Sequence, residues 1–529
     1  MSKPLAQLLE GLTPPLLDGR IGHIRRGIEK EGLRVDQQAR IAQTPHPAAL
    51  GAKLTHPYIT TDYSEALLEY VTPVFCRPKD ALEFLADLHR FTYQKVADEF
   101  VWPASMPAIL NGEDSIPIAD FGSSHTGTMK RIYRQGLEAR YGRIMQSIAG
   151  IHYNFSLPDG LWHALRTSED AESTSLSAYR SARYFHLIRQ FRRHSWLLMY
   201  LFGASSSADE SFFTQPPPET LARQGQRSWA APYATTLRMS GMGYQNEVQA
   251  QLPICFNTLS NFVDTVQKAT MTPWPDYEKV GVKVDGKWKQ LSANILQIEN
   301  EYYSDVRPKR VTRRGQTPSQ ALRQEGVEYI EVRCLDINPL LPLGIDEDQI
   351  RFLDVFLVWC LLSPSPWIGE EECRHLDENR GRVALRGRDP ELTIAVNGQE
   401  VPLAEQAETL VAAMLPVAKW LDLIEEGEPH RKAVERLRPA LQDPTLTVSG
   451  RIAHLMQSHE GELASWALSQ AKTHAQHLMQ SPMDEAREQE LNAWVARSHE
   501  EQRAIEDADR GSFDAYLASY FDSASHASK

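Results

Sequence analysis

The chain has 529 residues, of which 42% are hydrophobic and 24% are charged, so it has ordinary globular composition and enough length to bury at least one large core. Its formal net charge of -13 argues against a protein whose main partner is nucleic acid or an anionic membrane surface. The five cysteines form no close pairs, which argues against a disulfide framework or a CxxC zinc site and favours a reducing cytoplasm.

The predicted secondary structure changes character along the chain. Alternating polarity or β-branched and aromatic enrichment predicts strands over residues 28–35, 151–157, 282–291 and 327–337, while helical patterns cover residues 81–100, 178–201 and 349–362. Strands and helices do not alternate regularly, which indicates an α+β fold. Beyond about residue 370, Ala, Glu, Gln, Leu and Arg dominate. We therefore expect a body over residues 1–370 with helical insertions and a mostly helical region over residues 371–529 packed on it.

The first predicted strand, residues 28–35, carries two carboxylates on one face. Glu29 and Glu31 would lie about 7 Å apart along an extended strand. Like charges so placed repel each other unless a cation lies between them, which is what a magnesium site facing phosphate requires. Taken alone, this segment is explained more simply by an edge strand whose carboxylates face water.

Residues 60–73 add two further acidic candidates, Asp62 and Glu69. On a strand, Glu65 and Glu69 would share one face, and Asp62 would lie at the strand entry. A helix is also compatible with this segment, because Ala and Leu are good helix formers. The segment therefore supplies candidate ligands without fixing their geometry.

Residues 150–157 alternate strictly between polar and apolar side chains. His152, Asn154 and Ser156 share one face, and the apolar residues face the other way, towards a core. The polar face must look onto either solvent or a site. A histidine in such a position is more often a hydrogen-bonded structural residue than a metal ligand.

In the last strand candidate, residues 327–337, Glu331 and Arg333 share a face. Such a pair is commonly a plain ion pair, but it could also hold a metal ion and a phosphate oxygen side by side. The densest cationic run, residues 307–314, lies just upstream and includes Lys309 and Arg310. A solvated loop would explain this run, although a bound triphosphate would need such a local source of positive charge.

Several familiar motifs are absent or incomplete. Residues 281–287 have the spacing of a phosphate loop, but Trp288 occupies the position of the magnesium-binding hydroxyl, and the Asp285-Gly286 step favours a β-hairpin instead. The sequence has no GxSxG, HExxH or GxGxxG motif. Readings as an α/β-hydrolase, a zinc protease or a Rossmann enzyme therefore lose their usual support.

Taken together, these segments closely resemble the monofunctional bacterial glutamate–cysteine ligase family. The resemblance is carried by Glu29-Lys30-Glu31 and by residues 59–73, 102–107, 150–158, 200–205, 296–313 and 328–339. It covers most of the chain and is less distinctive beyond about residue 370. It implies a glutamine-synthetase-like catalytic body: a curved, mainly antiparallel sheet forms the active site and helices surround it, with a helical C-terminal region.

The resemblance also implies roles for individual residues. The matching metal ligands are Glu29, Glu31, Asp62, Glu69, His152 and Glu331. Arg134, Arg238, Arg333 and Asn154 match residues that hold the glutamyl and phosphoryl groups, Lys309 and Arg310 are expected to bind ATP, and Tyr63, Tyr133, Tyr244 and Tyr303 match the aromatic surround of the cysteine pocket. Some members of the family carry Phe at the position of Tyr63.

The implied reaction is the first step of glutathione biosynthesis. ATP phosphorylates the γ-carboxylate of L-glutamate, and the amine of L-cysteine then displaces phosphate from the acyl phosphate. The expected cofactor is Mg²⁺, with Mn²⁺ as the alternative, and glutathione is the expected feedback inhibitor. We expect no nucleic acid and no obligatory protein partner. We also expect no membrane association, since the apolar stretches are too short to span a bilayer.

Three other functions stay open at this point. A related carboxylate–amine ligase with a different acceptor amine would use the same phosphate-binding residues. A di-metal hydrolase could use the same acidic residues and histidine, but it would leave residues 307–314 without a role. A non-catalytic metabolite-binding protein is disfavoured by the six candidate metal ligands. The helical tail is too short for the ATP-grasp domain of bifunctional relatives.

Overall fold

The computed structural model describes residues 3–243, 247–250, 252, 254, 256–313 and 315–526. Tyr244, a predicted cysteine-pocket residue, lies outside the described residues, as do Cys255 and Arg314. Within the described part, no helix has both the length and the apolar character needed to cross a membrane.

The described chain contains fourteen strands and eighteen α-helices. The strands are β1 (Arg25–Val35), β2 (Ile59–Thr61), β3 (Leu67–Val71), β4 (Phe100–Val101), β5 (Ile151–Ser156), β6 (Ser207–Asp209), β7 (Ala222–Gln224), β8 (Ser228–Ala230), β9 (Lys283–Val284), β10 (Lys287–Trp288), β11 (Val306–Lys309), β12 (Tyr329–Leu335), β13 (Thr393–Val396) and β14 (Gln399–Pro402). The helices are α1 (Leu5–Leu17), α2 (Pro78–Lys95), α3 (His125–Tyr141), α4 (Asp159–Ser168), α5 (Leu176–His194), α6 (Trp196–Phe202), α7 (Glu247–Ala250), α8 (Leu259–Met271), α9 (Pro275–Val280), α10 (Pro318–Glu325), α11 (Glu347–Leu362), α12 (Glu370–Arg386), α13 (Leu403–Leu421), α14 (Pro429–Gln442), α15 (Val448–Met456), α16 (Leu463–Gln480), α17 (Glu485–Ala508) and α18 (Phe513–His526).

The largest sheet has the strand order β11-β12-β5-β1-β3-β2, and β4 pairs with the end of β1. Every pairing in it is antiparallel, which confirms the predicted α+β class with a mainly antiparallel sheet. The register places Glu29 opposite His152, and it places Glu31 opposite Glu69. Polar residues from separate segments are therefore brought side by side on one face of the sheet.

The other face of this sheet belongs to the main hydrophobic core. Ile28, Tyr153 and Ile330 are completely buried there. The core also holds α11, whose residues from Gln349 to its end are all buried, as expected of a helix that is apolar on every side. Asp354 of this helix accepts a hydrogen bond from the Tyr153 hydroxyl at 2.7 Å, so even its acidic side chain is paired.

Most predicted elements are confirmed, with shifted ends. The pattern over residues 178–201 forms two helices, because α5 ends at His194 and α6 begins after Ser195. The helix predicted over residues 81–100 ends at Lys95, and Phe100 instead pairs with Val35 in the sheet. Helical periodicity identifies the buried face of a segment, but it does not fix where the segment stops.

Two turns decide the structure of the remaining predicted segments. Asp285 and Gly286 both have positive φ, at 49° and 75°, and they join β9 to β10 as the Asp-Gly hairpin that the sequence predicted. Residues 60–73 form two strands rather than a helix. The intervening turn holds Glu65, which forms a 2.6 Å ion pair with Lys53. Glu65 therefore does not share a strand face with Glu69.

The region beyond residue 370 is mostly helical, as predicted, but it also contains the hairpin of β13 and β14. Its turn is Asn397-Gly398, with φ of 51° and 78°, and this Asn-Gly step was a hairpin signal in the sequence. Val383 and Trp466 belong to the same hydrophobic cluster as Ile28. Because the core is continuous across residue 370, the division into two domains there stays a prediction.

The final two helices attach differently from the rest. Helix α17 buries little besides Leu491 and Ser498, as expected of a helix so rich in charged residues. Helix α18 contributes Leu517 to a second, small hydrophobic cluster with Met129 and Ile132 of α3. The end of the chain is thus docked against α3, separately from the main core.

Candidate active site

A cavity of about 510 Å³ opens on the polar face of the main sheet, a size typical of sites for small molecules. Strands β1, β3, β5, β11 and β12 supply one wall, and helices α3 and α18 supply another. The predicted residues that line it are Glu29, Glu31, Asp62, Tyr63, Glu69, Tyr133, Arg134, His152, Arg238, Tyr303, Lys309, Glu331 and Arg333. The structure therefore gathers nearly all of the residues that the sequence singled out.

Glu29, His152 and Glu331 form a compact group of potential metal ligands. One ligand atom from each lies within 4.8 Å of the others. His152 Nδ1 lies 3.2 Å from Glu29 Oε2 and 3.6 Å from Glu331 Oε1. The three residues come from strands β1, β5 and β12, which are adjacent in the sheet. Strand alternation points all three side chains to the same face.

Glu31, Asp62 and Glu69 form a second acidic group beside the first. Glu31 Oε2 accepts a 2.6 Å hydrogen bond from the backbone amide of Gly150. Burial, and then the charges of Glu29, Asp62 and Glu31, raise the pKa of Glu69 well above its usual value. Burial and the charge of Asp62 also raise the pKa of Glu31. Bound cations would remove this mutual repulsion and keep the carboxylates ionised.

Glu331 lies between the acidic residues and a basic cluster. Burial acts to raise its pKa, but Arg333, Lys309 and His152 outweigh burial, and the pKa lies well below the usual value. Its Oε2 atom is 3.1 Å from Arg333 NH1 and 3.4 Å from Lys309 Nζ. Neither approach has hydrogen-bond geometry, and this buried oxygen has no hydrogen-bond partner among the described residues.

These donor atoms fit a divalent cation. The five candidate carboxylates and the imidazole of His152 all line the cavity, and oxygen-rich donor sets of this kind suit magnesium or manganese. Glu331 Oε1, which lies 3.6 Å from His152 Nδ1, is the oxygen that an ion shared with Glu29 and His152 would contact. The arrangement as a whole can hold cations beside the anionic groups that Arg333 and Lys309 attract.

The predicted arginines are held by backbone oxygens. Arg134 donates from Nε to the carbonyl of Asp62 at 2.6 Å, and its guanidinium lies 4.4 Å from the centre of the Phe121 ring. Arg238 donates from NH2 to the carbonyl of Arg333 at 2.8 Å. These contacts fix the orientation of each planar group while leaving donors for a ligand.

Gly150 is required for the position of Arg238, although the sequence did not identify it. A Cβ atom at Gly150 would lie 2.2 Å from Arg238 NH2, a distance that no side chain can occupy. The same residue donates its amide to Glu31. Close approach of backbone and guanidinium is thus possible because residue 150 has no side chain.

The predicted tyrosines line the cavity from three parts of the chain: Tyr133 from α3, Tyr63 from the turn between β2 and β3, and Tyr303 from the segment before β11. Tyr303 donates its hydroxyl to Met239 Sδ at 3.3 Å. Burial raises the pKa of both Tyr63 and Tyr133, so both stay neutral at physiological pH. The Tyr63 hydroxyl is buried and has no hydrogen-bond partner among the described residues. These tyrosines therefore form an uncharged aromatic surround in the cavity, although Lys130 and Arg134 also line it from α3.

Two predicted residues are placed differently from the others. Arg310 donates to the carbonyl of Glu325 at 2.7 Å and lies 3.2 Å from its carboxylate, so its side chain is engaged outside the cavity lining. Its role in ATP binding stays a prediction. Asn154 lies behind the lining and donates to Glu29 Oε1 at 2.8 Å. It therefore holds a candidate metal ligand in position.

The sequence reasoning missed most of the helical wall. Thr126, Met129, Lys130 and Leu137 line the cavity from α3 together with Tyr133 and Arg134. Burial and the neighbouring Arg134 lower the pKa of Lys130 to about 8. The recurrence of these residues every three or four positions is the pattern of one helix face, and it was visible in the sequence. Tyr516 and Tyr520 of α18 also line the cavity, and no local pattern places them there.

Comparison with known proteins gives a consistent result. The family model described as glutamate-cysteine ligase matches residues 15–383. A glutamate–cysteine ligase from Pseudomonas entomophila is 47% identical over 494 residues, which are 93% of this chain and 93% of that protein. One from Pseudomonas aeruginosa PAO1 is 47% identical over 98% of this chain and 97% of its own length.

Solved structures share the same architecture. The glutamate–cysteine ligase of Francisella tularensis, determined in complex with AMP, superimposes with a TM-score of 0.90 at 34% identity and covers 96% of this chain and 99% of its own. A bifunctional glutathione synthetase from Pasteurella multocida gives a TM-score of 0.68 at 24% identity. That match covers 89% of this chain and 54% of the longer protein, and it shows a shared fold.

Proposed function

The chain belongs to the glutamate–cysteine ligase family, whose members form γ-glutamylcysteine at the expense of ATP, and we propose that the polar sheet face catalyses this reaction with bound Mg²⁺. The observation that carries the proposal is the position of Glu331, which lies against His152 on one side and against Arg333 and Lys309 on the other. Such a carboxylate can hold a cation next to a phosphate group. A di-metal hydrolase would have no use for the basic side of this arrangement.

The acidic residues would hold the metal ions. Glu29, Glu31, Asp62, Glu69, His152 and Glu331 supply only carboxylate oxygen and imidazole nitrogen, which favours Mg²⁺, with Mn²⁺ as the alternative. When bound, divalent ions offset the negative charge that accumulates during phosphoryl transfer. Asn154 would keep Glu29 oriented through its 2.8 Å hydrogen bond.

The basic residues would orient the two anionic substrates. Lys309 and Arg333 attract the ATP phosphates, and Arg238 and Arg134 hold the glutamyl group. An oxygen of the γ-carboxylate attacks the terminal phosphorus, ADP leaves, and a γ-glutamyl phosphate is formed. The amine nitrogen of the acceptor then attacks the acyl carbon and phosphate leaves. Both nucleophiles belong to the substrates, so the protein needs no nucleophilic side chain of its own.

The aromatic surround formed by the tyrosines would bind the acceptor amino acid. Tyr63, Tyr133 and Tyr303 present aromatic surface to the cavity, and sulfur packs favourably against aromatic rings. A cysteine side chain needs such a surround, whereas glutamate and phosphates need charged partners. Glutathione contains the γ-glutamylcysteine unit, so we infer that it competes at the same two subsites as a feedback inhibitor. A cytoplasmic location without an obligatory protein partner completes the proposal.

Measuring ADP release tests this function directly. The assay compares glutamate alone, glutamate with cysteine, and glutamate with other amino acids, each with ATP in the presence of Mg²⁺, Mn²⁺ or a chelator. We expect rapid ADP release with glutamate, cysteine and Mg²⁺, and little when any of them is omitted. Absence of turnover under those conditions, or equal turnover with unrelated amines, would contradict the proposal.

A further inference from the structure

The last helix of the chain contributes two side chains to the cavity that the reaction uses. We propose that Tyr516 and Tyr520 of α18 form part of the acceptor subsite, where they contact the side chain of the incoming amino acid and keep water from the acyl phosphate. This inference rests on the proposed function. It makes the C-terminal helix a determinant of acceptor binding, although all the charged residues that line the cavity come from earlier in the chain.

The two rings enter the cavity from the same face of α18. Tyr516 and Tyr520 are four residues apart and therefore lie one above the other on the helix, and both line the cavity next to Tyr133. Leu517, on the adjoining part of that face, is 4% exposed and packs into the small hydrophobic cluster with Met129 and Ile132. The helix thus turns an apolar face towards α3 and the cavity.

Specific contacts fix the position of α18. The Phe513 ring meets the Trp288 ring edge to face at 5.5 Å, and Asp514 forms a 2.8 Å ion pair with Lys283. Both partners belong to the hairpin of β9 and β10. This hairpin therefore supports α18, which gives a structural role to a segment whose spacing resembles a phosphate loop.

The segment that leads into α18 is attached to the start of α3. The amide of Ser123 donates to Glu506 at 2.9 Å, and the amide of His125 donates to Asp509. The His125 ring also lies 5.3 Å from the Tyr516 ring. Helix α18 is therefore held by the hairpin of β9 and β10 and, through contacts that span more than 380 residues of sequence, by the start of α3.

The neighbours of the two tyrosines favour the acceptor over the nucleotide. Tyr133, which the proposed function places in the cysteine pocket, packs in the same cluster as Tyr516 and Tyr520. The residues proposed to bind phosphate, Lys309 and Arg333, lie on strands β11 and β12 in the opposite wall. Neutral phenol rings suit an uncharged thiol side chain better than they suit phosphates.

Water exclusion gives the same wall a second effect. If water reaches the γ-glutamyl phosphate, its oxygen attacks the acyl carbon, phosphate leaves, and free glutamate is regenerated while ADP has already been released. An enzyme with a displaced α18 would therefore form more ADP than γ-glutamylcysteine. Keeping water away from a reactive intermediate is a general task of active-site walls.

The test is steady-state kinetics of the full-length double variant Tyr516→Ala/Tyr520→Ala. We expect its KM for cysteine to rise about tenfold or more, while its KM values for glutamate and ATP change less than about twofold. We also expect ADP to exceed γ-glutamylcysteine in amount. Leu517→Asp, which places a charge in the buried cluster, should give the same pattern by displacing the helix. Ser519→Ala, on the exposed face of the same helix, is the matched control and should behave as wild type.

Each result has a clear meaning. Equal changes in all three KM values would show that α18 only supports the fold, and a change confined to ATP would assign the helix to the nucleotide; either result overturns the inference. If the KM values were unchanged and the amount of γ-glutamylcysteine equalled the amount of ADP, the inference would be overturned as well. Thermal unfolding of each variant shows that the comparison is between folded proteins. If wild type itself makes no γ-glutamylcysteine, the proposed function has failed instead.

Discussion

The two walls of the cavity are built on different principles. On the sheet wall, short strands from separate parts of the chain place charged side chains at fixed spacings, and register brings Glu29 opposite His152 and Glu31 opposite Glu69. On the helical wall, α3 and α18 present mostly neutral aromatic and apolar side chains from packed helices. Most of the charged side chains are therefore positioned by strand register, with Lys130 and Arg134 of α3 as exceptions, whereas the uncharged surface depends on how helices dock. We expect damage to the sheet wall to abolish chemistry and damage to the helical wall to alter binding.

Replacing Glu331 with Gln should have the largest effect. Glu331→Gln removes a charge from the candidate metal ligands while keeping the size of the side chain, and it leaves Arg333 and Lys309 without their anionic neighbour. We expect kcat to fall about 10³-fold, equivalent to about 4 kcal/mol of transition-state stabilisation. Steady-state kinetics at saturating Mg²⁺ and calorimetric measurement of Mg²⁺ binding check both parts.

Glu328→Gln is the matched control for that substitution. Glu328 directly precedes β12 and accepts a hydrogen bond from the amide of Val311 rather than lining the cavity. It should retain nearly wild-type turnover. If Glu331→Gln also kept most of its activity and its metal affinity, Glu331 would not belong to a metal site.

The next largest effect should come from Gly150→Ala, which tests how closely the sheet wall is fitted. The added methyl group would collide with the Arg238 guanidinium, since the ideal Cβ position is 2.2 Å from NH2. We expect kcat/KM for glutamate to fall about 10²-fold, because displacement of a substrate-positioning arginine by about 1 Å costs this much. Gly381→Ala in α12 meets no atom within 4 Å and should leave the kinetics unchanged. Equal kinetics for the two variants would mean that Arg238 does not position the substrate.

A pH-dependent stability effect is expected just outside the sheet wall, in the turn between β2 and β3. Glu65 accepts hydrogen bonds from Lys53 and from the amides of His46 and Asp120, and these contacts outweigh burial and lower its pKa. A carboxylate with a lowered folded-state pKa stabilises the protein above its unfolded pKa. That stabilisation is lost as the pH falls through the folded-state value.

Glu65→Gln should therefore lower the free energy of unfolding by about 2 kcal/mol at pH 7, and the difference from wild type should shrink as the pH falls below about 4.5. Urea unfolding at several pH values measures this. We expect little change in KM for any substrate, because Glu65 does not line the cavity. A difference from wild type that grows towards low pH would contradict the assigned ion pairing.

The sheet wall was largely predictable from sequence and the helical wall was not. Alternation along a strand fixes which side chains share a face. The sequence alone therefore predicted that His152 and Asn154 share one face of their strand, and that Glu331 and Arg333 share one face of theirs. Parity could not show that these strands are neighbours, and that step came from the family resemblance. Alternation also predicted that Glu65 shares a face with Glu69, but Glu65 lies in the turn between β2 and β3 and pairs with Lys53 instead.

The helical wall needed information that no local pattern holds. Tyr516 and Tyr520 reach the cavity because Leu517 packs against α3 and Phe513 packs against Trp288. These contacts join parts of the chain that are hundreds of residues apart. The helical character of the region beyond residue 370 was predicted, but where α17 and α18 dock depends on surfaces that exist only in the folded body.

The smallest expected effect distinguishes the shape of the aromatic surround from its hydrogen bonding. The Tyr63 hydroxyl is buried and has no hydrogen-bond partner among the described residues, so Tyr63→Phe removes an unsatisfied polar group and keeps the ring. We expect the free energy of unfolding to rise by up to about 1 kcal/mol and KM for cysteine to change less than about twofold. Tyr63→Ala, which removes the ring, should raise that KM by about tenfold. If Tyr63→Phe instead impaired cysteine binding as strongly as Tyr63→Ala, the hydroxyl would itself contact the acceptor, and the aromatic surround would recognise its substrate by polar contacts as the sheet wall does.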